Sequence, residues 1–406
     1  MILALASILN LLKIFSIANS NQVWAFFIAF SLIINANSAL NILKLLLSNV
    51  FGKFCAIALV LLPLSRTIQS EQLSASHFNL EITSLFALLS GAAVFLSSFK
   101  RRSTSGVLRE VSIALLISLI LFSVALAKGG LQFSTIESGR SYSNADNVSL
   151  KNLLYLAIFA FPLYHLARKW EKFTIVTSFL AFLISVLASG GRSFFPIAIY
   201  AFICILLDPL LDIKKLRIGK VTVLLSLFSS LILFRYYNSL EFIVQRAAKS
   251  SEQFQYYQYR GDARWVELLD YISGLSLDEL LLGKGIGSTT NSPLFDGITN
   301  TLHVSFGTLL MKAGLLGCVA SVGWILWFAK SRKIKIRSSF LVILPPLGWF
   351  LCIDVAHTSI SSPEAMFYLG YFTAMSYYWT LQDADQRVIN PNAIKYIGKP
   401  IGIGLK

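Results

Sequence analysis

The chain has 406 residues, of which 55% are hydrophobic and 14% charged, and a mean hydropathy of +0.68. That apolar share exceeds the ~45–50% usual for soluble domains and excludes an ordinary water-soluble globule. A formal net charge of +15 would suit a nucleic-acid partner, but the basic residues sit in short loops between apolar runs, which argues against one and for membrane anchoring.

A spanning helix needs about 20 apolar residues, and twelve such stretches are expected. They lie near 2–18, 22–40, 51–66, 82–98, 110–127, 150–167, 173–189, 193–207, 219–236, 303–329, 339–357 and 364–381. Asn10 and Lys13 interrupt the first, which can instead lie in the interface. It has neither a basic leader nor a small-residue cleavage site, so a removed signal peptide is not expected. The fold class expected is an all-α polytopic membrane protein, one integral membrane domain over 1–406.

Basic clusters at Lys100–Arg102, Arg168–Lys172, Lys214–Lys220 and Lys330–Arg337 occupy alternate loops, while 67–81 and 358–363 carry no Lys or Arg. The positive-inside bias puts the clusters in the cytoplasm. Both termini then fall inside, and the long loop 237–302, between the ninth and tenth spans, falls outside. Residues 128–149 read as an irregular outside loop. Cys55, Cys204, Cys318 and Cys352 all lie in apolar spans, so small buried side chains are expected rather than disulfides or a zinc site.

Within the loop 237–302 the pattern turns helical. Trp265, Leu268, Leu269 and Ile272 recur at i, i+3, i+4 and i+7 and predict one apolar face. Asp262 is placed to cap it, and Arg264 and Glu267 are expected on the opposite, wet side. Gly274 and Gly283 bound a second short piece, Leu277 to Leu282. The run Gly283-Lys-Gly-Ile-Gly-Ser288 lacks Walker spacing and does not follow a buried strand, so turn formation is the better reading than a nucleotide site.

Polar groups in a chain this apolar are where binding or chemistry concentrates. Arg192, in Ser189-Gly-Gly-Arg-Ser193, joins a tight Gly-Gly turn to a guanidinium whose planar fork can hold two phosphate oxygens; snorkelling to headgroups is the alternative. Arg260 and Arg264 are four apart and can share a helix face, or pair with Asp262 and Glu267. His303 opens the tenth span and can act as a general base, or simply bond a loop carbonyl. Asp354 and His357, three apart after Pro345-Pro346, suit a proton relay or a supporting pair behind an active histidine, or an ordinary buried hydrogen bond. Glu364 begins the last span and can line the same cleft.

The Ser-Gly-Gly-Arg192-Ser turn, Arg264-Trp265, Leu282-Gly-Lys-Gly-Ile-Gly-Ser288, and the stretch from Leu302-His303 to Gly314-Leu-Leu-Gly317 together resemble the O-antigen polymerase and O-antigen ligase superfamily of bacterial membrane glycosyltransferases. Apart from topology, the resemblance covers mainly residues 185–320. It implies a bundle of the glycosyltransferase C type with a large periplasmic loop carrying short helices, in the bacterial inner membrane. It implies transfer of glycan from an undecaprenyl-pyrophosphate-linked oligosaccharide, without metal or other cofactor. Arg192, Arg264 and Arg260 would hold the pyrophosphate, and His303 with Arg264 would be catalytic. The partners implied are the lipid-linked glycan, membrane lipid and a chain-length regulator protein. A surface polysaccharide polymerase is the leading reading. A ligase moving glycan to lipid A–core, and a lipid-linked glycan flippase, are the alternatives. The ligase pattern has a polar residue directly after its histidine; here Val304 stands there, with Ser305 next.

Overall fold

Apolar runs set the lengths of the helices, and prolines, glycines and buried polar residues decide where they bend. The computed structural model describes residues 2–14, 20–69, 74–99, 104–129, 153–189, 200–201, 204, 263–292, 297–299, 301–302, 305–331 and 362–388. The spans expected at 219–236 and 339–357, most of that at 193–207, and the loop 130–149 lie outside them.

The described residues are mostly helical. In chain order they form α1 (Ile2–Ile14), α2 (Ser20–Ile34), α3 (Ala36–Ser48) and α4 (Val50–Ala56), which runs through a π turn (Ile57–Leu61) into α5 (Leu62–Gln69). Next come α6 (Ala75–Phe99), α7 (Thr104–Gly129), α8 (153–160) with a 3-10 turn (Phe161–Leu166), and α9 (Lys169–Ser189). Then follow α10 (Ala263–Ser273), α11 (Leu277–Leu282), strands β1 (Thr290–Ser292) and β2 (Gly297–Thr299), α12 (Ser305–Ser331) and α13 (Pro363–Val388).

Three helices among the described residues are long and apolar enough to cross a membrane: Val50–Thr67, Ala75–Ser98 and Gly106–Val124. Their surfaces fit that role. Phe86, Leu116, Ile120 and Val124 are exposed, a liability in water but ordinary against lipid. Ser84, Ser118 and Ser123 in these helices each donate to the carbonyl four residues back, which suits a medium without water.

Two sequence expectations change. The stretch 22–40 is not one straight span: α2 and α3 meet at 81°, for a fourth crossing if the pair counts as one. At the bend Asn35 has non-helical φ −109°, ψ 25°, and its side-chain amide donates to Ser31 O at 2.7 Å. Residues 67–81 are not all loop, since α6 begins at Ala75 and carries Glu81 into the bundle.

The core is built where α6 meets α13. Gly91 and Gly370 face the partner helix's backbone: a Cβ on Gly91 would run into Phe367 O, and one on Gly370 into Leu88 O. Removing two side chains lets the backbones touch, the usual way membrane helices gain packing without a hydrophobic drive between them. Around this contact Phe95, Tyr368, Tyr371 and Phe372 are fully buried, and Phe159 of α8 stacks on Phe372 at 3.7 Å. Helix α1 packs on α7, where the Leu3 amide, left without an intrahelical partner at a helix start, donates to buried Glu110 at 3.4 Å. Cys55, Cys204 and Cys318 are buried free thiols.

Candidate functional site

The outer segment is organised by short-range sequence. Ser276 caps α11: its hydroxyl accepts from the Glu279 amide, and the Glu279 carboxylate accepts from the Ser276 amide, a reciprocal capping box. Asp278 in the first turn accepts from the Ser276 hydroxyl at 2.6 Å and from Arg66 of α5 at 2.6 Å. Those two donors hold its carboxyl below the usual carboxylate range. The piece Leu277–Leu282 is where the sequence puts it, and the hairpin of β1 and β2, paired Thr290 with Thr299, was not anticipated.

Beyond α11 the chain runs through Gly283, Gly285 and Gly287, all at positive φ (76°, 96° and 77°), where glycine alone is at ease. Consecutive amides in this run bond to three different helices. Lys284 N–H donates to Met311 O at 2.7 Å and Gly285 N–H to Lys312 O at 3.1 Å. Ile286 N–H donates to Pro63 O at 3.3 Å, and Gly287 N–H to Glu81 Oε2 at 2.8 Å. These amides are therefore engaged within the fold, and the backbone approached by the glycines is that of the helices. A Cβ at 283 would stand 2.5 Å from Lys312 O, and one at 285 would stand 2.5 Å from Thr67 N.

Two of the carbonyls that receive these amides are freed by a break. Gly314 has φ 63°, ψ −169° inside α12, so Met311 and Lys312 lose their intrahelical donors. Pro63 has no N–H to give the preceding turn, where the helix widens to a π turn at Ile57–Leu61, a common response to a missing bond; its own carbonyl accepts from the Thr67 hydroxyl at 2.8 Å as well as from Ile286 N–H. Buried backbone groups must be satisfied, and the glycine run satisfies them.

At the centre is a buried ion pair. Lys312 Nζ lies 2.8 Å from Glu81 Oε1, with each side chain only 6% exposed. Lys312 also donates to Ser288 O at 2.6 Å, and the Ser288 hydroxyl donates to Gly285 O at 2.7 Å. One carboxylate thus joins α6, the glycine run and α12. Breaking such a pair leaves a lone buried charge and costs about 3–5 kcal/mol. The sequence reading did not single out Glu81 or Lys312; the signal available was an isolated lysine inside an apolar helix.

Helix α10 corrects two expectations. Glu267, expected on the wet side, is 3% exposed, and Leu269, expected on the packed side, is 61% exposed. The buried stripe runs through Leu268 and Tyr271, with Ile272 and Leu275 beside it, against Leu302, Leu310, Met311 and Cys318. Tyr271, which the apolar count passed over, turns the helix; its buried hydroxyl has no hydrogen-bond partner. Burial, with the Glu279 carboxylate nearby, pushes that hydroxyl well above its ordinary range.

Of the residues singled out in the sequence, Arg264 stands in α10, one turn before Leu268. His303 lies between Leu302 and Ser305, and it, Arg192, Arg260, Asp262, Asp354, His357 and Pro345-Pro346 lie outside the described residues. Described residues before and after position 303 make defined contacts. Thr308 Oγ1 accepts from Leu302 N–H at 3.0 Å and lies 3.1 Å from Leu302 O as a donor. Leu268 and Leu302 converge on Gly307, where a Cβ would stand 2.9 Å from Leu268 Cδ1 and 3.0 Å from Leu302 Cδ1. Glu364, at the head of α13, is buried.

The chain matches no known protein-family model and no curated protein.

Proposed function

We propose that this chain is a metal-independent membrane glycosyltransferase that polymerises surface polysaccharide. It would transfer glycan from an undecaprenyl-pyrophosphate carrier to a hydroxyl of a lipid-linked acceptor unit. In this reading the chain crosses the bacterial inner membrane about twelve times, with both termini cytoplasmic and the site facing outward. The observation that carries the proposal is the meeting of Leu268 and Leu302 at Gly307. It packs the helix that bears Arg264 against the entrance to α12, one residue before His303. The two motifs on which the family resemblance chiefly rests are thereby neighbours.

The chemistry asks for that arrangement. The acceptor hydroxyl attacks the anomeric carbon of the donor sugar, its proton passes to the His303 imidazole, and the carbon–oxygen bond to the diphosphate breaks. Negative charge grows on the departing diphosphate, and Arg264, Arg192 and Arg260 would stabilise it more in the transition state than in the ground state. Losing one such donor raises the barrier by about 3–4 kcal/mol, and losing the base costs about 10²–10⁴ in rate.

Arg264→Ala and His303→Ala are expected to abolish long-chain glycan while the protein still reaches the membrane; wild-type chain lengths in both variants would end the proposal. A deletion strain separates the two transferases. Single repeat units on the acceptor mark a polymerase, and full chains stranded on the carrier mark a ligase.

A further inference from the structure

We propose that Glu81 and Lys312 are positioning residues: together they latch the glycine run, and through it α10 and α11, against α12. The inference rests on the glycosyltransferase reading for its consequence, but the latch itself is a separate physical statement.

The geometry separates a latch from a pair that only neutralises itself. Two buried charges that served each other alone would need no third partner. Here Glu81 uses one oxygen for Lys312 and the other for Gly287 N–H, while Lys312 reaches past Glu81 to Ser288 O. Both ends of the pair therefore grip the same two-residue piece of chain, from opposite helices. Around it, Lys284, Gly285 and Ile286 are bonded to α12 and α5. Thr67 Oγ1, 2.8 Å from Ile286 O, adds a side-chain tie. Helix α11 is continuous with this run at Gly283, and α10 precedes α11 by a short turn, so freeing residues 284–288 removes one shared anchor of both helices. A fixed geometry matters because a displacement of ~1 Å at a reacting centre can cost about a hundredfold in rate.

Two double variants distinguish holding from mere charge compensation. Glu81→Gln with Lys312→Gln keeps an acceptor for Gly287 N–H and a donor for Ser288 O, without charge. Glu81→Leu with Lys312→Met removes both grips and leaves no lone charge, a replacement buried pairs often tolerate. Full-length protein in lipid nanodiscs is read by amide hydrogen exchange at 284–288. Turnover is read with carrier-linked glycan extracted from a deletion strain of the producing cell. In the Leu/Met protein, exchange at 284–288 is expected to accelerate by about tenfold or more; kcat is expected to fall by a similar factor, with KM for the carrier-linked glycan unchanged. The Gln/Gln protein should match wild type in both. Protected amides in the Leu/Met protein, unchanged kcat despite fast exchange, or a Gln/Gln protein as impaired as Leu/Met would each overturn the proposal. Should the Leu/Met protein fail to accumulate, Thr67→Val with Ser288→Ala removes two smaller ties and should accelerate exchange at the same amides by a lesser factor. No change there would overturn it equally. Failure of the glycosyltransferase reading looks different: wild-type protein with the same protected amides and no turnover.

Discussion

Gly91 of α6 and Gly370 of α13 each face the other helix's backbone, one against Phe367 O and the other against Leu88 O. The two glycines stand on opposite sides of a single crossing, and each leaves room for the partner's turn of helix. Gly91→Ala or Gly370→Ala should each lower stability by about 1–3 kcal/mol, the range for overpacking a close contact. The double variant should cost clearly less than the sum, because helices that have parted for one methyl group have already made room for the second. Thermal unfolding of the purified protein in one detergent reads this directly, and strict additivity would show that the two positions do not share a crossing.

Gly314→Ala places a side chain where φ is +63° and where a Cβ would run into Leu281 O and Gly283 N. Backbone strain of this kind costs about 1–3 kcal/mol. The effect should be local as well as global: amides of Lys284 and Gly285 should lose protection while those in α7 keep theirs. Equal loss everywhere would argue that the break in α12 is not what receives the glycine run.

Tyr271→Phe should be neutral or stabilising, by up to ~1 kcal/mol, because it removes a buried hydroxyl that has no hydrogen-bond partner. The pH dependence has a definite sign. The folded hydroxyl titrates above its ordinary range, so its contribution is fully present below about pH 10 and is lost as pH rises toward the folded value. Wild type should therefore lose stability in alkali faster than Tyr271→Phe. Parallel curves would mean that the hydroxyl is not shielded.

Asp278 behaves oppositely. Its folded carboxyl is held low by the Ser276 hydroxyl and by Arg66, so its stabilising effect is present above the ordinary carboxylate value, about 3.9. It is lost as pH falls through the folded value. Protection of the α11 amides, with the intrinsic pH dependence of exchange removed, should stay flat from neutral pH down to the carboxylate range and then fall. Asp278→Asn should remove most of that acid step. An unchanged step would assign it elsewhere.

Much of this architecture was legible because the signals are local. Leu277–Leu282 is bracketed by Gly274 and Gly283 and opened by Ser276 and Glu279, three residues apart, and it folds within those bounds. The apolar runs around Ala75–Ser98 and Gly106–Val124 become helices of spanning length. What escaped was whatever depends on a distant partner. The bend at Asn35 looks like a tolerable polar residue in an apolar run, and hydropathy has no means of registering an amide bonded to Ser31 O. The tilt of α10 was misjudged because Leu269 counted as packed and Tyr271 did not count. The glycine run was legible as turns, but not as a set of donors, because its acceptors lie on α5, α6 and α12, far away in the chain. Of the candidate site, Arg192, Arg260, His303, Asp354 and His357 fall outside the described residues, while Glu81 lies at the edge of a stretch that reads as loop.

The tie between Glu81 and Gly287 spans 206 residues of chain, and this has a consequence for how the protein is made. At a synthesis rate of about 5–20 residues per second, α6 waits roughly 10–40 s for the glycine run to emerge, and longer for Lys312. Throughout that interval Glu81 waits for two of the groups that later fix it, Gly287 N–H and Lys312 Nζ. The outer helices therefore settle only after α12 is made, and a chain interrupted before it lacks the lysine that closes the latch.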